Sequence, residues 1–338
     1  MRAAIVGCGG IAAVHAASVS QIAGAELVGF ADIRLERAER FAQQYGGEAF
    51  GSLEEMMVSL QGDRRPGVLH LCTPHYLHAP MAVYGLEQGV HVFSEKPPVI
   101  REEELGRLET AVRRSERRLG FCFQNRYNPS VLAVRKLLAS GACGAVLGGR
   151  GLVTWNRQEL YYTESGWRGK LATEGGGVLI NQAVHTMDLL TQFLGKPVRI
   201  EATAANHHLK GVIEVEDTME ALIGYEGGQK ACFYATTAYC DDMPPLIEIS
   251  CEKATLRIEE MDVTCLWRDG RVDKPVLEKK QALGKSYWGS GHKDCIADFY
   301  RCCESGEHFA QDLDGVRDTV WLMLAAYQSV REGATVEL

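Results

Sequence analysis

Lys96 stands between Glu95 and the pair Pro97-Pro98, directly after the apolar run Val90-His91-Val92-Phe93. A lysine fixed at a strand end by prolines can carry a cation to one chosen point, and a cis bond before Pro97 would aim its side chain. The competing reading is a solvated lysine in a turn. A second set lies in Glu174-Gly175-Gly176-Gly177-Val178-Leu179-Ile180-Asn181-Gln182-Ala183-Val184-His185-Thr186-Met187-Asp188. Three glycines open a helix there. Asn181 and His185 are four apart and Asp188 is three further, so the spacing puts all three on one face of an otherwise apolar helix. Spacing alone splits evenly between a reactive histidine and a core histidine held by Asp188.

The third set is at the start of the chain. Ala3-Ala4-Ile5-Val6 reads as a buried strand that runs into Gly7-Cys8-Gly9-Gly10-Ile11-Ala12 and then an Ala-rich helix. Gly7 permits a tight turn, Gly9 lets the backbone approach a pyrophosphate, and Ala12 allows close helix–strand packing. Twenty residues past Ala12, the strand Leu27-Val28-Gly29-Phe30-Ala31 ends in Asp32, placed to bind an adenosine ribose. Asp32 favours NAD, because a carboxylate repels a 2′-phosphate. Arg34 leaves NADP open, since it could accept that phosphate. Thr73-Pro74-His75 also ends a strand, where open α/β sheets bind ligands, and is expected to line the nicotinamide side. For His75 a plain strand-ending turn weighs equally.

Elements that could position these groups alternate through the first 120 residues. Strands are expected at 3–6, 27–31, 68–72, 90–93 and 119–123, with helices after the glycine turn and at 34–45, 78–88 and 101–118. Ser52 and Glu55 have capping-box spacing for a further short helix. This β-α-β order implies a parallel sheet with helices on both faces. Beyond it the pattern changes. Helices are expected at 129–140 and 176–194, strands at 197–207, 217–225, 229–238, 245–250 and 254–267, and helices at 291–304 and 312–331. Short turns such as Glu226-Gly227-Gly228 favour antiparallel pairing. The expected fold is an α/β Rossmann domain over 1–122, then an α+β domain over 123–338 with an open, mainly antiparallel sheet.

Composition narrows the function classes. The net charge of −8 argues against general nucleic-acid binding, and no apolar run is long enough for a membrane span. The first strand already leads into the glycine turn, so no signal peptide is expected. The 11 cysteines lack C-x-x-C pairs and several, Cys72, Cys122, Cys232 and Cys251, sit in apolar strands. They read as reduced, mostly buried thiols of a cytoplasmic protein. Cys302-Cys303 near His308 has the wrong spacing for one zinc ion, so no metal is expected.

Together these segments resemble the Gfo/Idh/MocA family of glucose–fructose oxidoreductase, inositol dehydrogenase and relatives. The likeness runs over nearly the whole chain. It includes the glycine turn, Thr73-Pro74 before His75 and His78, Glu95-Lys96-Pro97, Gln124-Asn125-Arg126-Tyr127-Asn128-Pro129, and the Gly-Gly…His-x-x-Asp helix. The resemblance implies hydride transfer between nicotinamide and a secondary alcohol, with Lys96 and His185 flanking the reacting carbinol. It adds Gly10, Ile11, His78 and Glu95 to the cofactor side. The departure is Asn181, where many members carry Asp. Asn181 cannot take a proton, though it can orient a sugar hydroxyl or His185. This points to the branch with Asn there, acting on sugars or sugar-nucleotide uronates. A neutral imidazole titrating at about 6.5 suits His185 as general base. Lys96 would then stabilise developing alkoxide charge, and the opposite assignment stays open.

Arg126 and Tyr127 are expected at the substrate. So is the loop carrying Asn156-Arg157, Tyr161-Tyr162 and Trp167-Arg168-Gly169, whose aromatic and guanidinium groups suit a polyol, sugar acid, sugar nucleotide or cyclitol. A packed loop covering the sheet is the even alternative. Tyr287 and His292 are candidates to close the pocket, with His292 equally a helix cap. The rival functions are a tightly held cofactor in a redox-neutral cycle and a non-catalytic dinucleotide sensor. Retention of Lys96 and His185 speaks against the sensor. The resemblance and the open sheet imply a homodimer or homotetramer.

Overall fold

The computed structural model describes residues 1–280, 282–284 and 288–338. They form two compact units, one of 1–124 with 282–316, the other of 125–281 (described to 280) with 317–338. The expected single cut after 122 thus differs from the observed division. The helix near 291–304, placed by sequence in the second domain, groups with the first.

In the first unit, apolar strands bury on both faces, as a parallel sheet requires. Strands β1 (Arg2–Val6), β2 (Glu26–Ala31), β3 (Glu48–Phe50), β4 (Val68–Leu71), β5 (His91–Ser94) and β6 (Leu119–Phe121) make one sheet in the order β3-β2-β1-β4-β5-β6. All five pairings are parallel. Helices α1 (Gly10–Val19), α2 (Leu35–Tyr45), α3 (Leu53–Ser59), α4 (His78–Glu87) and α5 (Glu102–Arg114) connect them. Ser52 caps α3 by accepting from the Glu55 amide, the bond its spacing predicts. The strand order reverses about β1 and β4, so the ends of these two strands face the ligand crevice of such sheets.

In the second unit, α6 (Pro129–Ala139) leads to β7 (Val146–Thr154), a strand that the sequence pattern did not reveal. Glycines at 148, 149 and 151 remove the side chains that would mark its alternation. They are needed: a Cβ on Gly151 would lie 2.7 Å from Thr186 Cγ2. Short helices α7 (Glu159–Thr163) and α8 (Leu171–Glu174) precede a π-helical turn at Leu179–Ala183 and α9 (Val184–Leu194). Strands β8 (Pro197–Ala205), β9 (Thr218–Tyr225), β10 (Lys230–Thr236), β11 (Leu246–Cys251), β12 (Ala254–Glu259), β13 (Asp262–Trp267), β14 (Val272–Asp273) and β15 (Val336–Glu337) complete a nine-stranded sheet in the order β14-β13-β12-β11-β7-β10-β9-β8-β15. Among the described strands of this sheet, only β7 and β10 pair in parallel. The expected strand over 254–267 is a hairpin, turning at Glu260 with φ 53°. Before α11 (Arg317–Glu332), helix α10 (His292–Ser305) packs against α1 in the first unit. One face of the nine-stranded sheet is covered by α9 and α11.

Candidate active site

The glycine turn enters α1 with a backbone that only glycine tolerates. Gly7 has φ +86°, and a Cβ there would lie 2.7 Å from the Cys72 carbonyl oxygen. The N-cap Gly9 offers no side-chain bond, and the first turn of α1 holds no acid. A Cβ on Gly9 or Gly10 would meet nothing within 4 Å. Open space before uncapped amides is what a pyrophosphate needs. Asp32 ends β2 beside this turn and accepts from the Cys8 amide at 2.7 Å and the Arg34 amide at 2.8 Å. Arg34 is exposed as the residue before α2. The Thr73 hydroxyl is buried with no hydrogen-bond partner among the described residues, an atom placed for a ligand at the end of β4. These features fit an NAD dinucleotide.

His75 is buried and its ring lies 5.8 Å from that of His78. His78 is braced between two turns. Its Nδ1 lies 2.8 Å from the Pro97 carbonyl and its Nε2 2.8 Å from the Thr73 carbonyl. Burial pushes its pKa down. His78 thus ties the end of β4 to the segment carrying Lys96, a bracing part rather than the direct contact expected of it.

From Val90 to Ile100 every residue is buried except Lys96, which is half-buried. The Lys96-Pro97 bond is cis. Beneath Lys96, Glu95 enters a polar network that sequence reasoning missed. His15 Nε2 lies 2.9 Å from Glu95 Oε1, and His15 Nδ1 lies 2.9 Å from His70 Nδ1. His70 Nε2 lies 2.6 Å from the Tyr300 hydroxyl. Burial opposes charge on His15, but its contacts with Cys122 and Glu95 outweigh that and raise its pKa to about 9. Glu95, although buried, is held well below the usual carboxylate range by His15. Burial and the neighbouring His15 charge push His70 down. The network assigns the protons: cationic His15 donates from both nitrogens, to Glu95 and to the lone pair of neutral His70. His15, Glu95 and Cys122 bring ligand atoms within 4.8 Å of one another.

His292 is the first residue of α10 and is buried, its ring 6.3 Å from that of His15. The helix cap is Gly291, so the expected cap role falls away. Burial pushes His292 down to about 4. Tyr287 lies outside the described residues. Near α10, Cys302 Sγ meets the His308 carbonyl, while the His308 ring pairs with Asp312 at 2.9 Å.

In the second unit, the three glycines answer close packing. A Cβ on Gly177 would lie 1.8 Å from the Glu216 carbonyl oxygen, and one on Gly176 2.0 Å from the Tyr327 hydroxyl. The segment that follows is not one uniform helix. The π turn changes register before α9, and the expected polar trio divides. Asp188 turns inward, accepting from Arg126 Nε at 2.8 Å, Arg126 Nη2 at 2.5 Å and the Thr319 hydroxyl at 2.7 Å. Arg126 is only 5% exposed, so the expected substrate guanidinium forms a buried fork on Asp188 instead. Tyr127 beside it, in the turn Gln124–Tyr127, is half-buried. Asn181 and His185 alone stay half-buried between 176 and 191, where every other residue is buried.

Around Asn181 the loop groups expected at the substrate gather. Asn181 Nδ2 donates to Glu174 Oε1 at 2.5 Å and lies 3.5 Å from the Tyr161 hydroxyl. Gln182 Nε2 donates to that hydroxyl at 3.1 Å. The Arg168 guanidinium stacks 4.4 Å from the Tyr161 ring and 5.1 Å from that of Trp167. Tyr161, Trp167 and Arg168 are half-buried, a surface suited to a sugar. Arg157, by contrast, is fastened to Asp242 at 2.7 Å, and Tyr162 belongs to a small core with Leu209, Ile213 and Val215.

Residues 1–123 match the oxidoreductase family with an NAD-binding Rossmann fold, and residues 131–257 match the GFO/IDH/MocA C-terminal domain. The chain belongs to the Gfo/Idh/MocA oxidoreductase family. Among its relatives, glucose-6-phosphate 3-dehydrogenase of Bacillus subtilis (strain 168) is 33% identical over 143 residues, 42% of this chain and 39% of that protein. D-glucoside 3-dehydrogenase of Escherichia coli (strain K12) is 28% identical over 201 residues, covering 58% and 55%. The chain therefore matches little more than half, or less, of these two relatives' lengths. The WlbA dehydrogenase from Bordetella pertussis, crystallised with NADH and UDP-GlcNAcA, is 28% identical. Its structure aligns over 100% of this chain and 98% of its own with a TM-score of 0.86.

Proposed function

We propose that this family member is an NAD-dependent dehydrogenase that oxidises a secondary alcohol of a sugar, sugar acid, sugar nucleotide or cyclitol. The observation that carries this reading is selective exposure. Two otherwise buried segments leave only Lys96, Asn181 and His185 partly open. Within the sugar class, the full-length likeness to a dehydrogenase crystallised with UDP-GlcNAcA favours a sugar-nucleotide uronate.

NAD, when bound, accepts the hydride. The residues offered to it are Gly7, Gly9, Gly10 and Ile11 at the pyrophosphate, Asp32 at the ribose with Arg34 outside it, and Thr73, Pro74 and His75 toward the nicotinamide. His185 takes the hydroxyl proton as general base. A neutral imidazole is the side chain suited to this step near neutral pH. Lys96 donates to the same oxygen and stabilises its developing negative charge. Glu95, fixed by His15, holds the base of the Lys96 segment. Asn181 orients a neighbouring substrate hydroxyl, and Tyr161, Trp167 and Arg168 supply the sugar-facing surface.

No helix among the described residues is long and apolar enough to cross a membrane. The 11 unpaired cysteines fit the reducing cytoplasm. We also propose assembly as a homodimer or homotetramer through the uncovered face of the nine-stranded sheet. The functional test is formation of reduced nicotinamide with a panel of sugars, uronates, sugar nucleotides and cyclitols. Binding of NAD with no reduction on any of them would favour a dinucleotide sensor instead.

A further inference from the structure

We infer that Glu174 is a positioning residue that sets which end of the Asn181 amide is presented to the substrate. The inference deepens the dehydrogenase reading and rests on it for its catalytic consequence. The geometry is local to the second unit. Glu174 is completely buried at the end of α8. Its Oε2 accepts from the Gly169 amide and its Oε1 from Asn181 Nδ2, each at 2.5 Å. An ionised carboxylate can only accept, so it compels the Asn181 amide to turn its NH2 group inward. The Tyr161 hydroxyl, 3.5 Å from the same Nδ2, lies on that side too. The carbonyl oxygen Oδ1 is thereby directed the other way. In that orientation Asn181 offers an acceptor, as an aspartate would, without carrying a charge. A protonated Glu174 becomes a donor on Oε1, and the favoured amide orientation reverses. Asn181 then offers a donor instead.

The surroundings make this switch accessible near neutral pH. Burial raises the Glu174 pKa to about 7, against the opposing bonds from Gly169 and Asn181 and the Arg168 charge. Glu216 raises it further. Tyr161, Tyr162 and Tyr327 also sense Glu174, and burial pushes all three up, so they stay neutral in this range. Glu216 is itself buried and raised, and it is tied to the Gly177 and Leu179 amides and the Tyr327 hydroxyl. Glu174 is thus the member of this group whose proton is shared directly with Asn181.

The test uses the full-length protein with NAD bound and 15N-labelled asparagine. The chain has five asparagines, so the side-chain amide signals are few, and N181A identifies the one that matters. A titration across neutral pH should move the Asn181 side-chain amide with a midpoint near 7, and E174Q should abolish the movement. An Asn181 signal that does not titrate in the native protein overturns the proposal, as does one that titrates unchanged in E174Q. The native titration decides the matter even if E174Q does not fold. In turnover, the pH profile of kcat/KM should lose one ionisation near neutrality in E174Q and keep it in E174D. If no sugar is oxidised yet the amide titrates with Glu174, the dehydrogenase reading fails and the positioning role stands. Turnover with a static amide sinks the positioning role alone.

Discussion

His15 keeps a positive charge at a fully buried site because its contacts with Cys122 and with Glu95, 2.9 Å away, outweigh the cost of burial. The imidazolium then donates onward to His70 and on to Tyr300, so each buried nitrogen has a partner. The sign of the resulting pH dependence follows. The folded-state pKa of His15, about 9, lies above its unfolded value of 6.5. Its stabilising contribution is complete below pH 6.5 and is lost as pH rises through 9. Thermal melting of the native protein should therefore show a falling midpoint over that window, and H15N should show a smaller fall. An equal fall in H15N would show that other groups govern it. Sequence gave Lys96, His185 and Asn181 a shared chemistry, but it could not show His15. A histidine in an Ala-rich helix looks like any core residue until the fold places Glu95, 80 residues later, against it.

At the scale of elements, the segment from the triple glycine to α9 holds Asn181 and His185 half-exposed while it seats Asp188 in the core. The π turn separates the two tasks, and periodicity in the sequence does not reveal such a turn. That is why the trio was legible as polar but not as divided. Arg126 was legible as special for the same reason: an arginine in an unusual motif. Its fork on Asp188 is what the folded chain makes of it. R126A leaves Asp188 buried with one charged partner gone. The expected loss of stability is about 3–5 kcal/mol, seen as a lowered urea midpoint. A loss under about 1 kcal/mol would mean that the site relaxes and that the pair does not hold α9. Strand β7 escaped notice because its glycines carry no pattern. The β-α-β alternation before it was plain because every strand there is a continuous apolar run between turn residues.

At the scale of the molecule, the covered face of the nine-stranded sheet carries the core and the other carries a mixed row. Leu222, Cys232, Arg150, Glu248 and Arg257 lie side by side across neighbouring strands, with Leu222 43% exposed. Cys232 is exposed there, contrary to the buried thiol that its apolar neighbours implied. Alternation within β10 turns it outward while Ala231 and Phe233 point to the core. Light scattering coupled to size exclusion should give a dimer or tetramer, and L222K should shift it toward monomer while NAD still binds. A native monomer would remove this face as an assembly surface.

The central claim is the proposed action of Lys96 and His185 on a single carbinol. It is tested most directly by reduced-nicotinamide absorbance on the sugar and sugar-nucleotide panel, with H185A and K96A beside the native protein and NAD affinity measured in parallel. The account predicts turnover on at least one substrate of the class, a fall of about 10²–10⁴-fold in kcat for H185A, and a comparable loss for K96A, with NAD affinity nearly unchanged for H185A. Undiminished turnover in H185A or K96A would contradict it.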